Sequence, residues 1–122
     1  TAQSAIRIRN PQFPLSNLTV IALEQAVAAP FCTRQLADLG ADVIKIEPVG
    51  GGDNTRRLVG SGAGFFATFN RNKRSLALDL KSPRGLALAK RLIARADVMC
   101  ENFRPGALAR LGLQHAGKED LL

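Results

Sequence analysis

The chain has no tryptophan and no tyrosine, and only one histidine and two cysteines in 122 residues. Without those aromatics, no aromatic-bearing RNA-binding motif is matched. No recognition-helix pattern stands out either, so nucleic acid is the weaker class of partner. Cys32 and Cys100 lie far apart and form no C-x-x-C pair, which leaves a zinc site unsupported. They read as two reduced, buried thiols. His115, the single histidine, sits in a polar segment after Gly112 and reads as a surface residue rather than a ligand or base. No apolar run approaches the length of a membrane span. Residues 1–10 lack the apolar centre of a signal peptide. The expectation is a soluble, cytoplasmic protein without metal or membrane partner. Neither G-x-G-x-x-G after a strand nor G-K-[ST] occurs, so the common nucleotide fingerprints are missing as well.

Acidic residues are also scarce. Seventeen Lys and Arg face ten Asp and Glu, a formal charge of +7. Such an excess favours an anionic partner. The cations are dispersed through Arg56-Arg57, the 71–74 stretch, Lys90-Arg91 and Arg104. A phosphorylated small molecule suits that distribution better than a polynucleotide does.

Apolar runs and breakers alternate along the chain. Residues 1–17 form an irregular arm broken by Pro11 and Pro14, and residues 18–122 form the domain. Strands are expected over 18–23, 43–46, 76–80 and 97–100. Helices are expected over 30–39, with Pro30 in the first turn and Gly40 after the last, and over 83–95, with Ser82 as cap. A shorter helix starts at Pro105 and closes at Gly112, and 64–69 forms a short helix or turn. Strand–helix alternation at these spacings predicts a Rossmann-like α/β fold, a mostly parallel sheet with flanking helices. The glycine-rich 48–64 loop is mobile unless something orders it.

In open parallel sheets, ligands bind beyond the carboxyl ends of the strands. Three loops qualify: 24–30, 47–53 and 101–106. The last reads ENFRPG. There Arg104, with Arg56 and Arg57 nearby in principle, either binds phosphate or is simply solvated. Phe103 either covers a purine or plugs the core. Asn102 bonds a ligand edge or a backbone group, or caps the helix at Pro105.

Three blocks carry more than this pattern. "LADLGADVIKIEPVGGGD", "FNRNKRSLALDLKSPRG" and "ADVMCENFRPGALARLGL" occur in that order. Together they resemble the family III CoA-transferases, which include formyl-CoA transferase, carnitine CoA-transferase and the α-methylacyl-CoA racemases. The resemblance covers residues 18–113. It implies the amino-terminal part of the large domain of a larger enzyme, an intertwined homodimer, and coenzyme A or acyl-CoA with a small carboxylic acid as substrates. Positions matching the family's CoA contacts are Val27, Ala28, Leu78, Lys81, Asn102, Phe103, Arg110 and Leu111, and Arg104 joins them on its chemistry. Val27 and Pro48 stand where some relatives carry longer polar side chains.

The resemblance further implies catalysis through an aspartate that forms an aspartyl-CoA intermediate. That aspartate belongs to a later motif resembling RPGYD, which this sequence does not contain. None of Asp38, Asp42, Asp53, Asp79, Asp97 or Asp120 matches it, so no catalytic residue is expected in this chain. The competing readings are a stand-alone, non-catalytic CoA or nucleotide-binding module and a racemase-type member. The first predicts that the coding frame stops after Leu122; an enzyme predicts that it continues.

Overall fold

The computed structural model describes residues 12–113. Four strands form one sheet in the order β3-β2-β1-β4: β1 (Thr19–Leu23), β2 (Asp42–Glu47), β3 (Arg74–Ala77) and β4 (Val98–Glu101). Every neighbouring pair is parallel. The expected strands over 18–23, 43–46 and 97–100 are therefore present. The third is displaced: it runs Arg74–Ala77, and 78–81 leaves the sheet. The strand must stay in register with β2, where Ile44 pairs with Arg74 and Glu47 with Ala77, and β2 ends at Glu47.

β1 pairs on both sides and lies between helices, so its residues from Val20 to Leu23 are all buried. Side chains alternate between the faces. Val20, Ala22 and Val43 face α1 (Ala28–Asp38), with Ala37, Leu36 and Cys100 packed alongside. Ile21, Leu23 and Ile46 face the opposite side, where Ala89 and Ile93 of a long helix, Pro83–Arg95, complete the core. Each buried Val, Leu or Ile among them contributes roughly 1.5–3 kcal/mol, and each Ala less. Between β2 and β3 the chain forms two 3-10 turns, Asn54–Arg57 and Gly60–Gly62, then α2 (Phe65–Asn70). The long helix is thus α3, and α4 (Ala107–Leu111) follows β4.

Both helix stops behave as their sequences require. Gly40 has φ +102 directly after α1, and a Cβ there would sit 2.5 Å from the Phe13 Cβ. Gly112 has φ +80 at the end of α4. The start of α4 differs from expectation. Pro105 lies in a turn, Gly106 at φ +82 precedes the helix, and the first helical residue is Ala107. His115 and Asp120 lie outside the described residues. No helix among the described residues is long and apolar enough to cross a membrane.

Candidate functional site

Parallel strands send all their carboxyl ends to one edge, and here that edge carries a groove of about 410 Å³. Its walls come from four loops. Glu24 and Gln25 follow β1, Pro48 and Val49 follow β2, and Leu78, Asp79, Leu80 and Lys81 follow β3. Phe103 follows β4, and Leu111 of α4 closes the side. The place is where the sheet's order reverses, between β1 and β4, since chain growth runs from β1 out to β3 and then returns to β4. A smaller depression adjoins it, lined by Glu101, Phe103, Arg104, Pro105, Gly106, Leu108 and Ala109.

Leu78, Lys81, Phe103 and Leu111 thus share one groove, and Phe103 and Arg104 share its neighbour. Arg110 reaches back along α4, its Nη1 3.1 Å from where a Gly106 Cβ would stand. Val27 and Ala28 sit at the start of α1 and line neither depression. Phe103 is half-buried against the core and also forms groove wall.

Asn102 does not cap α4. Its Oδ1 accepts from the Gln25 N–H at 2.9 Å, and its Nδ2 donates to the Gln25 carbonyl at 2.8 Å. This reciprocal pair joins the loops after the two adjacent strands β1 and β4. The Phe103 N–H donates to Glu101 Oε2 at 2.8 Å, which fixes the turn behind it. Ala26, in the first loop, adopts φ 63, a left-handed conformation that costs a non-glycine residue roughly 1–2 kcal/mol.

The glycine-rich loop has something to order it, as the sequence expectation required: charges that periodicity did not single out. Glu24, Lys45, Glu47 and Asp53 are each no more than 3% exposed. Lys45 Nζ donates to Asp53 Oδ2 at 2.7 Å and to Asn70 Oδ1 at 2.8 Å. Lys73 Nζ donates to Glu24 Oε1 at 2.7 Å, to the Pro30 carbonyl and to Asn70. Glu47 accepts from the Asp53 N–H, from both Arg56 Nε and Nη2, and from the Ser75 hydroxyl. Arg56 also stacks over Phe66 at 3.8 Å from its centroid.

Arg56 above all holds the Glu47 carboxyl down at about 2, against the push of burial. Burial pushes Asp53 up, but Lys45 and the two Thr55 donors outweigh it and leave it below the usual carboxylate range. Burial lowers Lys73, and Glu24 opposes that only in part. The available sequence signal was the lysine and glutamate inside "VIKIE", since strands covered on both faces of a parallel sheet are normally apolar.

The thiols also differ from expectation. Cys32 is exposed and Cys100 half-buried. Burial pushes Cys100 up to about 11. Among the described residues, no three of His, Cys, Asp and Glu gather as metal ligands.

Comparison with known proteins agrees with this architecture. Succinyl-CoA:glutarate CoA-transferase of Mus musculus is 43% identical over 112 residues, covering 88% of this chain and 25% of that protein. Succinate–glutarate CoA-transferase of Agrobacterium fabrum is 44% identical over 116 residues, covering 87% of this chain and 29% of that one. A CAIB/BAIF family protein from Brucella suis has a similar crystal structure, with TM-score 0.78 and 40% identity over 90% of this chain and 30% of its own. The chain therefore spans roughly a quarter of the length of the curated relatives it matches. With the sequence model of CoA-transferase family III matched over residues 15–120, and the parallel sheet in place, the chain belongs to that family.

Proposed function

We propose that this chain forms the coenzyme A-binding part of an enzyme that moves CoA between an acyl-CoA and a small carboxylic acid, acting in the cytoplasm. The observation that carries the reading is the groove at the strands' carboxyl edge. It has an apolar wall of Leu78, Leu80, Phe103 and Leu111 beside Lys81, and Arg104 stands in the adjoining depression. An adenine ring fits such a wall, and phosphates fit the cationic rim. Among the described residues no ion pair engages Lys81, Arg104 or Arg110, whereas Lys45, Arg56, Arg71, Lys73 and Arg74 are all paired. Lys81 lines the groove and Arg104 its neighbour, so the charge of both is available there to an anion; Arg57, Arg84, Lys90, Arg91 and Arg95 also make no ion pair among the described residues but line neither depression. Asn102 contributes by joining two walls, and Val27 and Ala28 by extending the site past the β1 loop.

Several aspartates have structural work. Asp38 binds Arg71, Asp42 binds Arg74, Asp53 binds Lys45, and Asp97 accepts from the Thr19 N–H. Asp79 lines the groove, but its Oδ1 accepts from the Lys81 N–H. This supports giving the chain the task of binding, while the acyl-accepting aspartate comes from outside it. The assembly we propose is an intertwined homodimer. Calorimetric titration of CoA into the protein tests the site. Phe103→Ala is expected to weaken binding by about 1–2 kcal/mol through lost base stacking. Arg104→Ala is expected to weaken it by an amount that shrinks as salt rises. Unchanged affinity in both variants would overturn the assignment.

A further inference from the structure

Three carboxylates, Glu24, Glu47 and Asp53, meet three cations, Lys45, Arg56 and Lys73, beneath the turn that follows β2. The cluster is balanced in charge. It grips the turn at both ends. Glu47 stands before it and Asp53 after it, and the Asp53 N–H donates to Glu47 Oε1 at 2.8 Å. Lys45 then ties Asp53 to the sheet, and the Asp53 Oδ1 accepts from both the N–H and the hydroxyl of Thr55. Within the turn, the Gly52 N–H donates to the Pro48 carbonyl at 3.1 Å. Between the two anchors lie Pro48 and Val49, which form one wall of the groove, and three consecutive glycines.

Three glycines in a row have wide conformational freedom, and apolar packing is not directional. Hydrogen bonds to charged groups are directional, and they fix where the turn stands. We infer that Lys45 and Asp53 are positioning residues for ligand binding: they line no groove themselves, and they hold the 48–52 turn in the pose that makes its wall. The inference rests on the CoA-binding reading of the groove. The ion pair is not needed for stability in principle, because apolar residues of similar volume commonly replace buried pairs without loss. That separates the two roles experimentally.

The test compares the protein with Asp53→Ala and with the paired replacement Lys45→Met/Asp53→Leu. Urea unfolding gives stability, and calorimetry gives CoA affinity and its entropy under conditions where each variant is folded. The paired replacement is expected to regain most of the stability lost in Asp53→Ala. It should still bind CoA about tenfold more weakly, with the loss carried by entropy, because the ligand must now order the turn. Wild-type affinity in a folded paired variant would show that the pair serves the fold alone. Should that variant not fold, Asp53→Asn keeps the shape, weakens the tie to Lys45, and carries the same comparison.

Amide hydrogen exchange at Gly52, whose N–H donates to the Pro48 carbonyl, and at position 53, whose N–H donates to Glu47 Oε1, reads the clamp without any ligand. Faster exchange confined to this turn in Asp53→Ala supports it, and unchanged exchange overturns it. Absence of CoA binding by the unaltered protein would instead remove the reading of the groove, while the exchange result still decides the clamp.

Discussion

At the residue scale, the most consequential side chain is Lys45, a lysine 1% exposed in the second strand of the sheet. Removing Asp53 leaves the buried Lys45 with Glu24 at 3.7 Å and Asn70 alone, so Asp53→Ala is expected to destabilise the fold by at most about 3–5 kcal/mol, measured by urea unfolding. Glu47 provides a pH test. Its carboxyl lies at about 2 instead of 4.5, chiefly because Arg56 bonds it, so its folded pKa is depressed. A depressed carboxylate contributes its full stability above 4.5, and that contribution is lost as pH falls toward about 2. Arg56→Gln should therefore lower stability at neutral pH and flatten the decline between those values, as read from urea midpoints across the pH series. The two thiols should also separate. Cys32 is exposed, and Cys100 is held up at about 11 by burial. Iodoacetamide at pH 8 is expected to label Cys32 in the native protein and Cys100 only after unfolding; equal labelling would contradict this placement.

At the element scale, α3 shows how a short sequence sets both a helix and a groove wall. Ser82 is the N-cap, its hydroxyl accepting from the Gly85 N–H at 3.0 Å, and Pro83 occupies the first helical position. The Ser82 hydroxyl donates in turn to the Asp79 carbonyl at 3.0 Å, so the helix start rests on the 78–81 segment that lines the groove. Gly85 permits this contact. A Cβ there would stand 2.0 Å from the Asp79 carbonyl oxygen. Gly85→Ala must push helix and loop apart, at an expected cost of about 1–3 kcal/mol in unfolding experiments. Ser82→Ala should cost about 1–2 kcal/mol through the lost cap and the lost bond to the Asp79 carbonyl. If the groove takes CoA as proposed, Gly85→Ala should also weaken binding beyond what Ser82→Ala does, because it shifts Leu78 and Lys81.

At the scale of the whole molecule, ligand binding and stability are linked. CoA that binds only the folded chain should stabilise it by about 2.7 kcal/mol at a concentration one hundred times its Kd. A rise of the thermal midpoint with CoA, reduced in Arg104→Ala, is the expected outcome of differential scanning calorimetry. No shift at saturating CoA would count against the groove. The molecule also exposes Val59 at 86% and Phe31 and Leu58 at 42% each, all on or near the helix and loops that cover one face. Exposed apolar side chains grouped on one face suit further protein packing there.

Sequence by itself determined the strands and helices to within a few residues, because apolar period, proline starts and glycine stops are local signals. It also determined the family, through three ordered blocks that lie on the groove loops and the strands leading to them. It put Phe103 on a loop at the strands' carboxyl edge, though whether that ring plugs the core or covers a ligand had no local answer; in the fold it packs against the core and forms groove wall. Only the tertiary structure decided the partners. Asn102 joins Gln25 across 77 positions of sequence, and Lys73 reaches Glu24 across 49. No spacing rule announces such pairs, since they depend on which strand lies beside which. The same reason hid the clamp. Lys45 fell inside an expected strand over 43–46, and Glu47 and Asp53 stood at the two ends of the 47–53 loop. They became an ordered ionic cluster only when the chain folded α1 and α2 over that face and removed the water that would otherwise have screened them.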